Sequence, residues 1–458
     1  MQQTVVINVV GLTGELLGEH TPNLTAFAKK GAQAELTTVT PAVTCSAQSS
    51  FVTGLTPTDH GIVGNGWYFR DMAQVLLWRQ NNNIVEGEKV WDTARKKDPA
   101  FTCAKMFWWY NMYANVEHSV TPRPMYPADG RKILDIYSEP TTLGERLKAE
   151  LGPFPFFSFW GPKADIQSSE WIADASRLTF DWHSPSLTLV YLPHLDYNLQ
   201  RLGPHDPRIA EDLRDVDRVA GKLIDHFQSA GARVIVLSEY GITPVNEVVH
   251  INRVLREAGM IRVRIEDGLE MLDPGASDAF AVSDHQVAHI YIKDAKNIPR
   301  VKTLLESVPG IEQVLDKKGK AHLGIDHARS GELVAISDPD KWFSYYYWLD
   351  DTVAPDFART VDIHRKPGYD PVELFIDPKI PLPLLKVAKI LLKKKLGFRY
   401  LMDVIPLDAS LVKGSHGRLT DNPQHGPVFI TSEKNLLKSE TVSAEEVKGL
   451  MLDHLFSA

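Results

Sequence analysis

Short runs of β-branched and aliphatic residues recur along the chain, each meeting a polar cluster and giving way to apolar residues at helical spacing. Val5 to Val10 ends at Gly11, and Leu187 to Leu192 ends at Pro193-His194-Leu195-Asp196. Val234 to Leu237 ends at Ser238-Glu239-Tyr240-Gly241, and a weaker run, Val428 to Ile430, follows His416-Gly417. Continuous apolar runs of this length are the mark of strands covered on both faces, as in a parallel sheet. Between them, Pro207 to Ser229 carries Ile209, Leu213, Val216, Val219, Leu223 and Ile224 every three or four positions before Gly231, which predicts a helix lying on the sheet. The pattern predicts an α/β fold: a mostly parallel central sheet flanked by helices. In such sheets ligands bind beyond the carboxyl ends of the strands, so Asp196 and Glu239 are candidate site residues.

At 458 residues the chain exceeds the size at which one hydrophobic core stops growing, about 250–300 residues, so a large domain with an insertion is expected. Residues 1–250 read as the first part of the core and 351–458 as the return to it. In 251–350, Ala288 to Ile292, a helix from Ile298 to Val308, and Gly331 to Ile336 suggest a smaller α+β cap. Two aromatic runs, Met106 to Tyr113 and Trp342 to Trp348, read first as core, with a substrate-stacking wall as the second reading of the former.

Composition narrows the function classes. With 43% hydrophobic and 24% charged residues the chain is an ordinary globular protein, and its net charge of -8 argues against a nucleic-acid polymer as partner. Cys45 and Cys103 are too few for a disulfide framework, and Met1-Gln2-Gln3 runs straight into the first strand without a basic leader, so a cytoplasmic location is the expectation. No apolar stretch approaches the roughly 20 residues needed to span a bilayer.

The chemistry gathers after the first strand. Thr21-Pro22-Asn23-Leu24 opens a helix, Thr40-Pro41-Ala42-Val43-Thr44-Cys45-Ser46 leads to a second, and Thr53-Gly54-Leu55-Thr56-Pro57-Thr58-Asp59-His60-Gly61-Ile62-Val63-Gly64-Asn65 follows. In this order the segments resemble the nucleotide pyrophosphatase/phosphodiesterase branch of the alkaline phosphatase superfamily. The resemblance implies an alkaline-phosphatase-like core, Thr44 as the nucleophile at a helix start, and Asn65 as an amide donor to a phosphoryl oxygen. Independently, a helix N-terminus favours a phosphoryl anion, although Thr44 could also be a plain cap and Asn65 a turn residue.

The family usually holds two zinc ions about 4 Å apart, bound by six side chains besides the nucleophile. Here the first-strand position is Val10, with no donor atom. The middle motif is Asp196-Tyr197-Asn198-Leu199-Gln200, with an amide where the family has an imidazole. The later motif is Glu239-Tyr240-Gly241, and Gly414-Ser415-His416-Gly417 matches in full. Asp196, Glu239 and His416 are therefore the expected ligands, and one divalent cation is expected rather than two, zinc being the family's ion. His194, Gln200, Tyr240, Asp362 and His364 are candidate additional metal or substrate ligands, and Arg365 a candidate phosphate contact. Each of the histidines and loop residues also has a plain structural reading.

The resemblance implies a metal-dependent hydrolase of a small phosphate mono- or diester, with a rebuilt metal site. The alternative is a member that binds a phosphate-bearing ligand without hydrolysing it. Finally, Pro381 to Phe398 spells a basic amphipathic helix, with Lys386, Lys389, Lys393 and Lys394 against leucines. Its expected place is the protein surface with the apolar side on the sheet; contact with a membrane, and an amphiphilic substrate, are the less favoured reading.

Overall fold

The computed structural model describes residues 1–457. Nine strands form the central sheet, in the order Thr441–Ser443, Ala32–Thr37, Val428–Thr431, Arg233–Leu237, Thr4–Val9, Leu187–Leu192, Cys103–Met106, His118–Pro122 and Ile136–Glu139. Thr4–Val9 lies between two parallel neighbours, and all six of its residues are buried, as are all six of Leu187–Leu192. Long helices, Ile166–His183 and Ile209–Ser229 among them, cover the sheet. The sheet is mixed, because Val428–Thr431 runs antiparallel to both of its neighbours.

Register decides where the polar strand ends meet. Val9 pairs with Leu192 and Asn8 with Leu237, so Val10, the segment from Pro193 and the turn from Ser238 emerge together at one edge. At that edge Gly241 has no room for a side chain, since a Cβ there would come within 1.7 Å of the His425 carbonyl oxygen. Thr243–Pro244 then pairs antiparallel with Gly414–Ser415, which brings His416 into the same place from far along the chain.

Residues 251–350 hold a separate four-stranded antiparallel sheet, in the order Ala279–Asp284, Val287–Ile292, Leu333–Ser337 and Ile311–Leu315. Its first strand ends at Asp284, beside the central site. Both aromatic runs are buried for most of their length, including Trp108, Tyr110 and all of Tyr345, Tyr346, Tyr347 and Trp348.

The structure corrects the placing of the basic helix. Pro383–Lys395 is helical, but only Ile390 is buried, and Leu384 and Leu385 are 78% and 63% exposed. The apolar face expected on the sheet points outward instead, because the helix meets the body along the side that carries Lys386, Val387 and Ile390.

Candidate functional site

Thr44 begins the helix Thr44–Thr53, every residue of which is buried, and the left-handed Gly54 ends it. The Thr44 Oγ1 lies 3.2 Å from the Tyr240 hydroxyl, which donates to Asp196 Oδ1 at 3.1 Å. The second Asp196 oxygen accepts from Gln200 Nε2 at 2.8 Å, and the Gln200 amide is in turn bonded to the Tyr369 hydroxyl at 3.1 and 3.2 Å. Four rings stack beside this chain: Tyr240 on His416 with centroids 3.6 Å apart, His416 on His285 at 3.6 Å, and His285 on Tyr369 at 3.7 Å. Stack and hydrogen bonds together form a closed loop at the strand ends.

Glu239 sits on the other side of Thr44. Its Oε1 accepts from Asn8 Nδ2 and Gln48 Nε2, both at 2.5 Å, and its Oε2 has no partner. Gln48 is itself held by the Trp109 backbone N–H at 2.7 Å. Burial raises both carboxylic acids to about 7, against the opposing hydrogen bonds from Tyr240 and Gln200 to Asp196 and from Gln48 and Asn8 to Glu239. Burial also holds the His416 imidazole neutral, lowered to about 3; its Nδ1–H donates to the Ala42 carbonyl at 2.8 Å and its Nε2 is left unpartnered, 3.8 Å from Asp196 Oδ1.

Asn65 is beside this network but is engaged. Its side-chain amide donates to Asp284 Oδ1 at 3.0 Å and its backbone N–H to Asp284 Oδ2 at 2.7 Å, while its Oδ1 accepts from the Cys45 N–H at 3.1 Å. An internal carboxylate from the small sheet thus takes the amide expected to meet a phosphoryl oxygen. Burial raises Asp284 to about 6.

The sequence-predicted residues divide accordingly. Thr44, Asn65, Asp196, Gln200, Glu239, Tyr240 and His416 come together. His194 does not: it shares the helix His194–Leu202 with Asp196, where residues two apart point to opposite sides, so the alternation assumed for a strand fails, and its Nε2 faces Asp212 Oδ1 at 3.1 Å. Asp362 and His364 lie in a loop away from Thr44, the Asp362 N–H bonding Glu373 and His364 packing by Arg79. Arg365 is a half-exposed surface residue paired with Asp356 at 3.4 Å. Its neighbour Lys366 is wholly buried between Asp370 and Glu373, each 2.7 Å away, and serves the core. Asn8, Gln48 and Tyr369 belong to the network but escape a sequence reading, because amides and aromatics spread over the chain carry no motif.

Residues 4–370 match the family described as type I phosphodiesterase / nucleotide pyrophosphatase. The chain belongs to this family. A curated relative from Schizosaccharomyces pombe, an uncharacterized pyrophosphatase/phosphodiesterase, is 26% identical over 261 residues, covering 53% of this chain and 45% of the relative. The chain thus spans less than half the length of that relative. Among solved structures, an inactive variant of murine ectonucleotide pyrophosphatase/phosphodiesterase 5 in complex with AMP superposes with a TM-score of 0.60 at 16% identity, over 99% of this chain and 95% of that one. Phosphonoacetate hydrolase from Sinorhizobium meliloti, with phosphonoacetate, gives 0.61 at 15% identity, over 99% and 96%. At these identities the superpositions establish the shared fold.

Family members are typically dependent on a divalent metal, and the residues here can be tested against that requirement. Val10 is fully buried and offers no donor. Both Asp196 oxygens are taken by Tyr240 and Gln200, and the Tyr240 ring lies flat against His416. Glu239 Oε2, His416 Nε2, His285 Nδ1 and Asn8 Oδ1 are left without a partner, but among the described residues no three His, Cys, Asp or Glu are grouped to hold a metal ion. A zinc site needs three or four protein ligands. The set fits neither the family's two-ion centre nor the single ion expected at Asp196, Glu239 and His416.

Proposed function

We propose that this family member hydrolyses a small phosphate mono- or diester, with Thr44 as its nucleophile and Glu239 as the base that activates it. The observation that carries the reading is the placing of Thr44, at the start of a helix, beside a buried carboxylate whose acid is raised to about 7. A base near neutrality suits proton transfer at ordinary pH, and a helix start favours the incoming anion. The Thr44 hydroxyl proton passes to Glu239 as the Oγ1–P bond forms and the P–O bond to the alcohol breaks; Glu239 returns that proton to the departing alkoxide. Water then attacks phosphorus, giving a proton to Glu239, which hands it to the Thr44 oxygen as the phosphate group leaves. That neighbours of the same fold are solved with AMP and phosphonoacetate agrees with a small phosphorus-bearing ligand.

A second reading is a binding protein without turnover, favoured by Val10 and Tyr240 in two ligand positions and by the closed network over Thr44. Turnover of p-nitrophenyl phosphate esters separates the two. Thr44→Ala and Glu239→Gln should each lower it by at least about a hundredfold. Full activity in Thr44→Ala would refute the nucleophile. No turnover by wild type, with or without added divalent metals, alongside calorimetric binding of AMP, would leave the second reading.

A further inference from the structure

From Pro381 to Leu401 the chain holds six lysines and arginines and no acidic residue, in a protein of net charge -8. Nine of the large apolar side chains that stand exposed lie in this short stretch: Leu382, Leu384, Leu385, Leu391, Leu392, Leu396, Phe398, Tyr400 and Leu401. Scattered exposed leucines need no explanation, but such a concentration does.

The helix geometry gives the patch a direction. At about 100° per residue, Leu384, Leu385, Leu391, Leu392 and Leu396 cover an arc of roughly 140°. Ile390, the one buried residue of the helix, lies opposite that arc, and the half-buried Val387 lies outside it. Lys389 and Lys393 border it, and Lys395 stands within it on a stem long enough to bring its ammonium back to a headgroup. Lys386 is anchored on the body side, its Nζ 2.8 Å from Asp403, so the helix is held with its leucines outward. Among the described residues no helix is long and apolar enough to cross a membrane. Apolar side chains directed away from the body and rimmed by cations match an interface whose outer layer is anionic and whose inner layer is hydrocarbon. A second copy of this chain laid on the same face would set its cations against their equals.

We propose that Pro383–Lys395 and the residues through Leu401 dock the protein on an anionic lipid surface, the leucines entering the headgroup–acyl boundary and the lysines meeting lipid phosphates. The full chain should co-sediment with vesicles of phosphatidylcholine mixed with phosphatidylglycerol, poorly with phosphatidylcholine alone, and less as salt is raised. The triple variant Leu384→Ser, Leu385→Ser, Leu392→Ser and the double variant Lys389→Glu, Lys393→Glu should each reduce vesicle binding about tenfold or more. All five side chains are on the exposed surface, and an unchanged melting transition verifies that the variants fold. Wild type left in the supernatant with anionic vesicles, or folded variants that bind as well as wild type, would overturn the proposal. So would a leucine variant that turns a wild-type dimer into a monomer without changing vesicle binding, which would make the face a protein interface.

Discussion

The Tyr240 hydroxyl lies 3.2 Å from the Thr44 Oγ1 and gives its hydrogen to Asp196. An imidazole is what the family resemblance places at position 240; a phenol there becomes a bridge between the proposed nucleophile and a carboxylate. Tyr240→Phe removes that bridge and leaves a buried carboxylate oxygen short of a donor. The expected loss of stability is about 1–3 kcal/mol, read from urea unfolding. An unchanged midpoint would mean that the bridge carries no weight.

The raised pKa of Glu239 is itself a statement about stability. Its folded value, about 7, lies above the ordinary 4.5, so its contribution is fully present below about pH 4.5 and is lost as pH rises through 7. Glu239→Gln keeps the oxygen that accepts from Asn8 and Gln48 but carries no charge. Relative to wild type, the variant should gain stability steadily from pH 5 to pH 8, by on the order of 3 kcal/mol in all. Parallel stability profiles for the two proteins across that range would contradict the assignment. The same titration predicts that kcat/KM rises with pH through about 7, since the base acts deprotonated.

The donor set predicts little affinity for metal. Protein purified without chelator should carry well under one equivalent of zinc by elemental analysis. Restoring donors with Val10→Asp, Gln200→His and Tyr240→His should raise bound zinc toward stoichiometric amounts, because carboxylate and imidazole return to three emptied positions. Stoichiometric zinc in the wild type would show that ligands rearrange on binding.

Lys366 is buried between Asp370 and Glu373. Lys366→Met should destabilise the protein by about 3–5 kcal/mol, because two carboxylates are then left without their cation inside the core. Denaturant unfolding measures this directly. A neutral effect would mean that the loop opens to water when the lysine is removed.

How much of this was legible beforehand follows from the range of the interactions involved. The strands Thr4–Val9, Leu187–Leu192 and Arg233–Leu237, the helix that Thr44 begins, and the loss of donors at Val10, Gln200 and Tyr240 can be read along the chain, because apolar periodicity and short motifs are local properties. The direction of Val428–Thr431 is not local; it depends on which neighbours its edge meets. Nor could spacing tell that His194 and Asp196 share a helix, or that the leucines near Lys389 face outward. The engagement of Asn65 by Asp284 and the stack of Tyr240, His416, His285 and Tyr369 join residues up to 219 positions apart (284 minus 65). The sequence by itself determined the family, the sheet core and the missing ligands. Only the tertiary structure decided what fills their place, because a buried polar group must find its partner wherever the packed chain supplies one.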